Sequence, residues 1–187
     1  MSKLSGMLLA IVIVSIAIVT IGKQSEACQR VSPVVVSQTC TIAEYIVRAT
    51  AIEYSRPPEN PNMLTTGPTD SKVRFEVEEI LKGDILPSSI ELNGYLNDKD
   101  EFNGHPVPYD YVRKSGLRGS CYANTYKQGA QFLLFIGKSG KGFTVEIDPL
   151  APVNEQLHSE SDPWVYYIKG LLKGLEEPGK YEKKSKQ

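Results

Sequence analysis

The chain has 187 residues, 21 Lys+Arg against 22 Asp+Glu, and a formal charge of −1. With 41% hydrophobic and 23% charged residues it is not a disordered chain, a coiled coil or a collagen-like fibre. The near-neutral balance argues against a broad nucleic-acid-binding face. The length suits one domain, or two small ones. Three cysteines, an odd number, must be accounted for.

Leu4 to Gly22 is a run of 19 uncharged residues between Lys3 and Lys23. A short basic start, an apolar stretch and small residues beyond it have the shape of a secretory signal. Ser25 and Ala27 stand at −3 and −1 before Cys28. An uncleaved anchor is the alternative, since the run is just long enough to cross a bilayer. The small residues favour cleavage. A lipoprotein signal fits less well, because Gly22 to Glu26 separates the apolar run from Cys28.

Cleavage after Ala27 leaves 160 residues with a charge of −2 and Cys28 in first place. Such a length supports a single domain with a real core. A secreted, extracellular product also places Cys28, Cys40 and Cys121 in an oxidising compartment, so at least one disulfide is expected. No Asn-x-Ser/Thr sequon is present.

Val34 to Cys40 reads as a short helical turn and Ile42 to Tyr54 as a long first strand. Ser55 to Ser71, with Pro57, Pro58, Pro61, Gly67 and Pro68, reads as a surface loop. Val73, Phe75 and Val77 alternate with Arg74, Glu76 and Glu78, the period of a half-buried strand. Lys82-Gly83-Asp84 ends it, and Ser89 to Leu96 is a further strand. Asn97 to Gly119 is polar, Gly-rich and long for a connection, so functional or mobile. Gln131 to Gly137 is a nearly continuous apolar strand, and Phe143, Val145 and Ile147 mark another over Gly142 to Ile147.

Asp162 is a good N-cap and Pro163 suits a first helical turn. Trp164, Tyr167, Ile168, Leu171, Leu172 and Leu175 then form one apolar stripe. The prediction is a mainly β protein: a five-stranded OB-like barrel with flanking helices, including a C-terminal amphipathic helix. A β-sandwich is the alternative. The expected organisation is a signal peptide over 1–27, the barrel domain over 28–175 and a lysine-rich tail over 176–187.

Enzyme motifs are absent. His105 and His158 are the two histidines, and neither sits in a metal-binding pattern. No Gly-x-Ser-x-Gly nucleophile elbow occurs. Gly137-Lys138-Ser139 lacks the upstream glycine of a phosphate loop and joins two strands. In a secreted chain, disulfide pairing is a better fate for Cys40 or Cys121 than a reactive thiolate. The chain does not read as an enzyme, and no cofactor is implied.

The order of features resembles a known family. Cys40-Thr41-Ile42-Ala43-Glu44-Tyr45 to Ala49 is similar to the start of the first strand in netrin-like domains. Val73-Arg74-Phe75-Glu76-Val77, then Ile80-Leu81-Lys82-Gly83, resembles that family's second strand and Lys-Gly turn. Gly119-Ser120-Cys121, then Gln128 to Lys138, resembles its Cys, Gly and leucine-rich strand. Together these look like the inhibitory domain of the tissue inhibitors of metalloproteinases, over nearly the whole mature chain.

The resemblance implies a Cys28–Cys121 disulfide, closing a loop that a chain-entropy model values at roughly 4–5 kcal/mol. Such a bond would hold a free α-amine rigidly at the surface. The partners implied are zinc metalloendopeptidases of the matrix metalloproteinase type. The amine and carbonyl oxygen of Cys28 would bind the partner's zinc and displace its water. Gln29 would point to the specificity pocket. Arg30, Ser120, Cys121, Tyr122 and Ala123 would complete the inhibitory edge. Arg30 stands where the family usually has a second Cys, and Gln29 replaces a smaller Ser or Thr. No Cys follows Cys121, so Cys40 is expected buried and unpaired, or bonded to another chain. A Cys28–Cys40 bond would leave the edge without its anchor. The alternative function is an extracellular netrin-like binding module without protease inhibition. The lysine-rich tail leaves extracellular matrix as a possible partner; after signal cleavage no membrane or nucleic acid is expected.

Overall fold

The computed structural model describes residues 36–59, 70–117, 121–145 and 150–176. Helix α1 (Val36–Ile42) precedes strands β1 (Tyr45–Arg56), β2 (Lys72–Lys82), β3 (Ser89–Asn93) and β4 (Tyr95–Asn97). A 3-10 turn (Lys114–Leu117) follows, then β5 (Thr125–Lys127), β6 (Gln131–Ser139), β7 (Gly142–Val145), β8 (Asn154–Gln156) and helix α2 (Pro163–Glu176).

Strand β1 organises the sheet. It pairs antiparallel with β2 on one side and β6 on the other. Its register with β2 shifts at four places between Ile46 and Arg56. Each irregularity bends the strand and increases its twist, so the sheet curls. The order is β3-β2-β1-β6-β7. The two end strands, β3 and β7, come close enough to touch, without a main-chain ladder between them. The result is the mainly β, OB-like half-barrel expected from the sequence.

Small residues on β1 make room for large ones opposite. Ala51 pairs with Phe75 and Ala49 with Phe132. The freed space holds Phe75, Tyr126 and Phe132, packed edge-to-face with centroids 4.9–6.1 Å apart, an arrangement favoured by ring quadrupoles. Phe132 to Ile136 are all fully buried. A strand buried on both faces requires a layer outside the sheet. Helix α2 belongs to that layer: Trp164, Val165, Ile168 and Leu172 join the same core, and Lys169 Nζ lies 2.7 Å from Glu79 of β2. Val165 replaces Leu175 on the expected stripe, since Leu175 is exposed. Asp162 caps the helix, with Trp164 N–H donating to Oδ1 at 2.8 Å.

The first strand starts three residues later than Ile42. The Lys82 ammonium donates to the carbonyls of Cys40, Thr41 and Ala43 at 2.7, 2.9 and 2.6 Å, which fixes those residues as the end of α1. The expected strand Ser89 to Leu96 is two strands, divided at Gly94. A Cβ on Gly94 would lie 2.6 Å from the Asn124 carbonyl oxygen and collide with the Tyr126 ring. The backbone must pass there to let β4 pair in parallel with β5. The expected end of β7 at Ile147, the signal segment, and the lysine tail beyond Glu176 lie outside the described residues. No described helix is long and apolar enough to cross a membrane.

Replacing Lys82 with Met removes three charge-assisted bonds from the end of α1. The expected loss is about 2 kcal/mol in urea unfolding, scaled from bonds to a charged donor. An unchanged midpoint would mean that the ammonium does not hold the helix.

Candidate functional site: the Cys121 edge and its polar support

The sequence places its site residues in two groups. Cys28, Gln29, Arg30 and Ser120 lie outside the described residues. Cys121, Tyr122 and Ala123 follow one another into β5. Cys121 is disulfide-bonded, while Cys40 is a free, fully buried thiol. Burial pushes the Cys40 thiol up to about 11, with the nearby Lys82 charge opposing the shift.

Cys121 has φ 63° and Leu150 has φ 67°. Both are left-handed conformations that side chains resist. The two residues support each other, because Leu150 N–H donates to the Cys121 carbonyl at 2.7 Å. Val112 N–H in turn donates to the Leu150 carbonyl at 2.9 Å. Val112, Ala123 and Leu150 form a small separate core, with Leu117 and Cys121 packed on it. Ala123 is thus fully buried, and its side chain supports the edge from beneath. Tyr122 is half-buried; burial, then the neighbouring Tyr95, raises its phenol above the usual range. Strain of this kind, about 1–3 kcal/mol per residue, persists only where surroundings enforce it.

The enforcement comes from the loop over Asp98 to Leu117. Arg113 is its centre. The guanidinium is fully buried and lies 5.6 and 5.4 Å from the ring centroids of Tyr126 and Phe132. Its Nε donates to the Asn154 carbonyl at 2.9 Å and Nη2 to the Thr125 carbonyl at 2.5 Å. Its Nη1 pairs with Glu101 Oε2. Glu101 also accepts from Ser115 N–H at 2.5 Å and Thr125 Oγ1 at 2.8 Å. One guanidinium therefore ties the loop to β5 and β8.

Further contacts fasten the loop along its length. Glu101 N–H donates to Gln156 Oε1 at 2.8 Å. Asp100 accepts from Gln156 Nε2 at 2.6 Å and Lys127 Nζ at 2.8 Å, and these donors, Lys127 first, lower its carboxyl. Phe102 stacks on His158, centroids 3.9 Å apart. Asn103 Nδ2 donates to the Tyr111 carbonyl at 2.7 Å and to Glu155 Oε2 at 3.1 Å. Tyr109 packs against Trp164 at 4.8 Å. Gly116 brings the loop's end against the edge: a Cβ there would lie 2.8 Å from the Ala123 nitrogen.

Strand β8 was not legible in the sequence. Asn154, Glu155 and Gln156 are at most 1% exposed, so three polar residues in a row lie inside. Asn154 Nδ2 donates to the Ala123 carbonyl and to Tyr126 Oη. Among the described residues no group of His, Cys, Asp and Glu is arranged to hold a metal ion. A groove of about 680 Å³ lies where β3 and β7 meet, lined by Lys72, Ser89, Glu91, Lys141 and Thr144 among others. A smaller cleft shares Asn93, Phe143 and Thr144 with it and reaches Tyr122.

Compared with known proteins, the chain matches no family model and no curated protein.

Arg113→Met leaves Glu101 without its cation. Breaking such a pair is expected to cost about 3–5 kcal/mol, read as a lower urea midpoint. A loss within experimental error would show that the loop is held by its other contacts. The cysteine states predict a thiol count. Intact protein gives no reaction with a thiol reagent, and denaturation without reductant exposes one thiol per chain. Two or three would contradict the assignment of Cys40 as the free residue.

Proposed function

We propose that the chain is a secreted inhibitor of zinc metalloendopeptidases of the matrix metalloproteinase type. The observation that favours this reading most is the state of Cys121. It is disulfide-bonded and held in a strained conformation at the rim of an OB-like half-barrel. In the proposal its partner is Cys28, freed as the N-terminal residue by cleavage after Ala27.

Inhibition then follows from coordination chemistry. A catalytic zinc keeps three protein ligands and an open position for water. The neutral α-amine and the carbonyl oxygen of Cys28 take that position, and Gln29 enters the specificity pocket. Arg30 and Ser120 extend the contact, with Cys121 and Tyr122 beside it and Ala123 buttressing from below. The zinc belongs to the protease; this chain needs no cofactor. Rigidity raises affinity because little ordering remains to be done on binding. The Asp98–Leu117 support supplies that rigidity on the Cys121 side.

A second reading is an extracellular binding module without inhibitory activity. The groove between β3 and β7 favours it, since charged and hydroxyl side chains line it and it does not depend on a free amine.

The two readings separate in one titration against a matrix metalloproteinase. Mature protein beginning at Cys28 is compared with the same protein carrying one extra N-terminal Ala. The inhibitor reading predicts a loss of roughly 100-fold or more in the extended form, about 2.7 kcal/mol. Equal potency, or no inhibition by either, excludes chelation by the amine. The pH dependence adds a sign. The α-amine has a reference pKa of about 7.7–8.0 and binds zinc only when neutral. Inhibition should therefore weaken as pH falls through that range, after correction for the protease's own profile.

A further inference from the structure

Three polar groups in the loop's support do not balance. Arg113 carries one positive charge, and two carboxyls share it. Glu101 is the better served, with Arg113, Ser115 and Thr125 all donating to it. Glu155 is fully buried; Asn103 donates to its Oε2, and the Arg113 main-chain N–H also favours its charged form. Its Oε1 has no hydrogen-bond partner among the described residues.

Among the described residues, the surroundings of Glu155 add no further lysine or arginine. The facing residue on β6 is Leu133. The loop presents Glu101, Asn103, Tyr109 and Arg113. From the start of α2 comes Asp162, which acts on Tyr109 together with Glu155. Asp162 is itself bonded to His158 Nδ1 at 2.9 Å. Tyr126 reaches this side through Asn154. With both glutamates ionised, the Glu101–Arg113–Glu155 trio carries one net negative charge, with Glu155 and Arg113 closed to water and Glu101 partly exposed. An ionised carboxylate with an unmatched oxygen is costly there.

We propose that Glu101, Arg113 and Glu155 form a proton-operated latch beneath the Cys121 edge. With a proton on Glu155 the trio is neutral and the Asp98–Leu117 loop stays closed on β5 and β8. As pH rises, Glu155 releases its proton to solvent and its carboxylate requires hydration. Water reaches it when Asn103 and its part of the loop lift. Asn103 also holds the Tyr111 carbonyl, and the next residue, Val112, bonds Leu150, which bonds Cys121. Loosening at Asn103 thus passes along a continuous hydrogen-bonded path to the edge. Burial pushes the Glu155 carboxyl up to about 7, against the opposing pull of Arg113 and Asn103, which places the switch near neutral pH.

The sign of the linkage is fixed. Glu155 binds its proton more tightly folded than unfolded. Its contribution to stability is full below the unfolded value of about 4.3 and is lost as pH rises through about 7. The latch does not depend on the inhibitory reading, and its test uses no protease.

The experiment is an NMR titration of the mature chain from pH 4 to 9, following the Glu155 side-chain carboxyl and the amides of Tyr111 to Leu117 and Cys121. The latch predicts a Glu155 midpoint near 7, with those amides shifting at the same midpoint. In Glu155→Gln, the amide response disappears and the urea midpoint no longer falls between pH 5 and 8.5 by the wild-type amount. In Glu101→Gln, Arg113 serves Glu155 alone, and the Glu155 midpoint drops by about one unit or more. A Glu155 midpoint below 5 overturns the proposal. So do amides that ignore a Glu155 titration near 7, or a Glu155 midpoint unmoved by Glu101→Gln.

Discussion

The burial of the Arg113 guanidinium is the constraint on which the rest of the candidate site depends. Removing a cation from water is costly unless its donors are matched. Here they meet the carbonyls of Asn154 and Thr125 and the carboxylate of Glu101, and the plane faces the Tyr126 and Phe132 rings. Those partners come from β8, β5, β6 and the long loop. Satisfying one side chain therefore fixes β5, β8, the barrel's aromatic cluster and the long loop relative to one another. The barrel could curl without Arg113. The loop could not remain closed on it in this form.

That arrangement bears on the edge. Cys121 and Leu150 occupy conformations that neither would choose alone, and the hydrogen bonds linking them run onward to Val112, next to Arg113. Strain held in place by a polar network gives a rigid rim. Rigidity is what the proposed contact with a zinc protease requires, because a mobile N-terminus would lose affinity in ordering. The same network contains one carboxyl too many for its cation, so the stiffness of the rim and the protonation of Glu155 are coupled by construction.

Much of the fold was legible in the sequence. Alternation at Val73, Phe75 and Val77 marked β2, the unbroken Phe132–Ile136 run marked β6, and Asp162-Pro163 marked the start of α2. Each signal is local, and burial followed it. What escaped was non-local. Strands β5 and β8 have three residues each, too short to show a period, and β8 is polar throughout. Its burial depends on Arg113 and Asn103, more than 40 residues away in sequence. The break at Gly94 depends on the approach of Asn124 and Tyr126. The loop over 97–119 looked polar and long; nothing in its composition distinguishes a fastened loop from a loose one. The cysteines stood between these cases. Their odd number was visible at once; the resemblance implied a bonded Cys121 and left Cys40 buried and unpaired or bonded to another chain, and in the fold Cys40 is a free buried thiol and Cys121 is bonded.

The central claim is that Cys121 anchors a Cys28 whose α-amine is free. Peptide mapping of the secreted product by mass spectrometry, without reduction, tests it most directly. The account predicts a crosslinked pair of peptides joining Cys28 to Cys121, with Cys28 as the unmodified first residue and Cys40 as a thiol. A chain that begins elsewhere, or a Cys28 joined to Cys40, would contradict it.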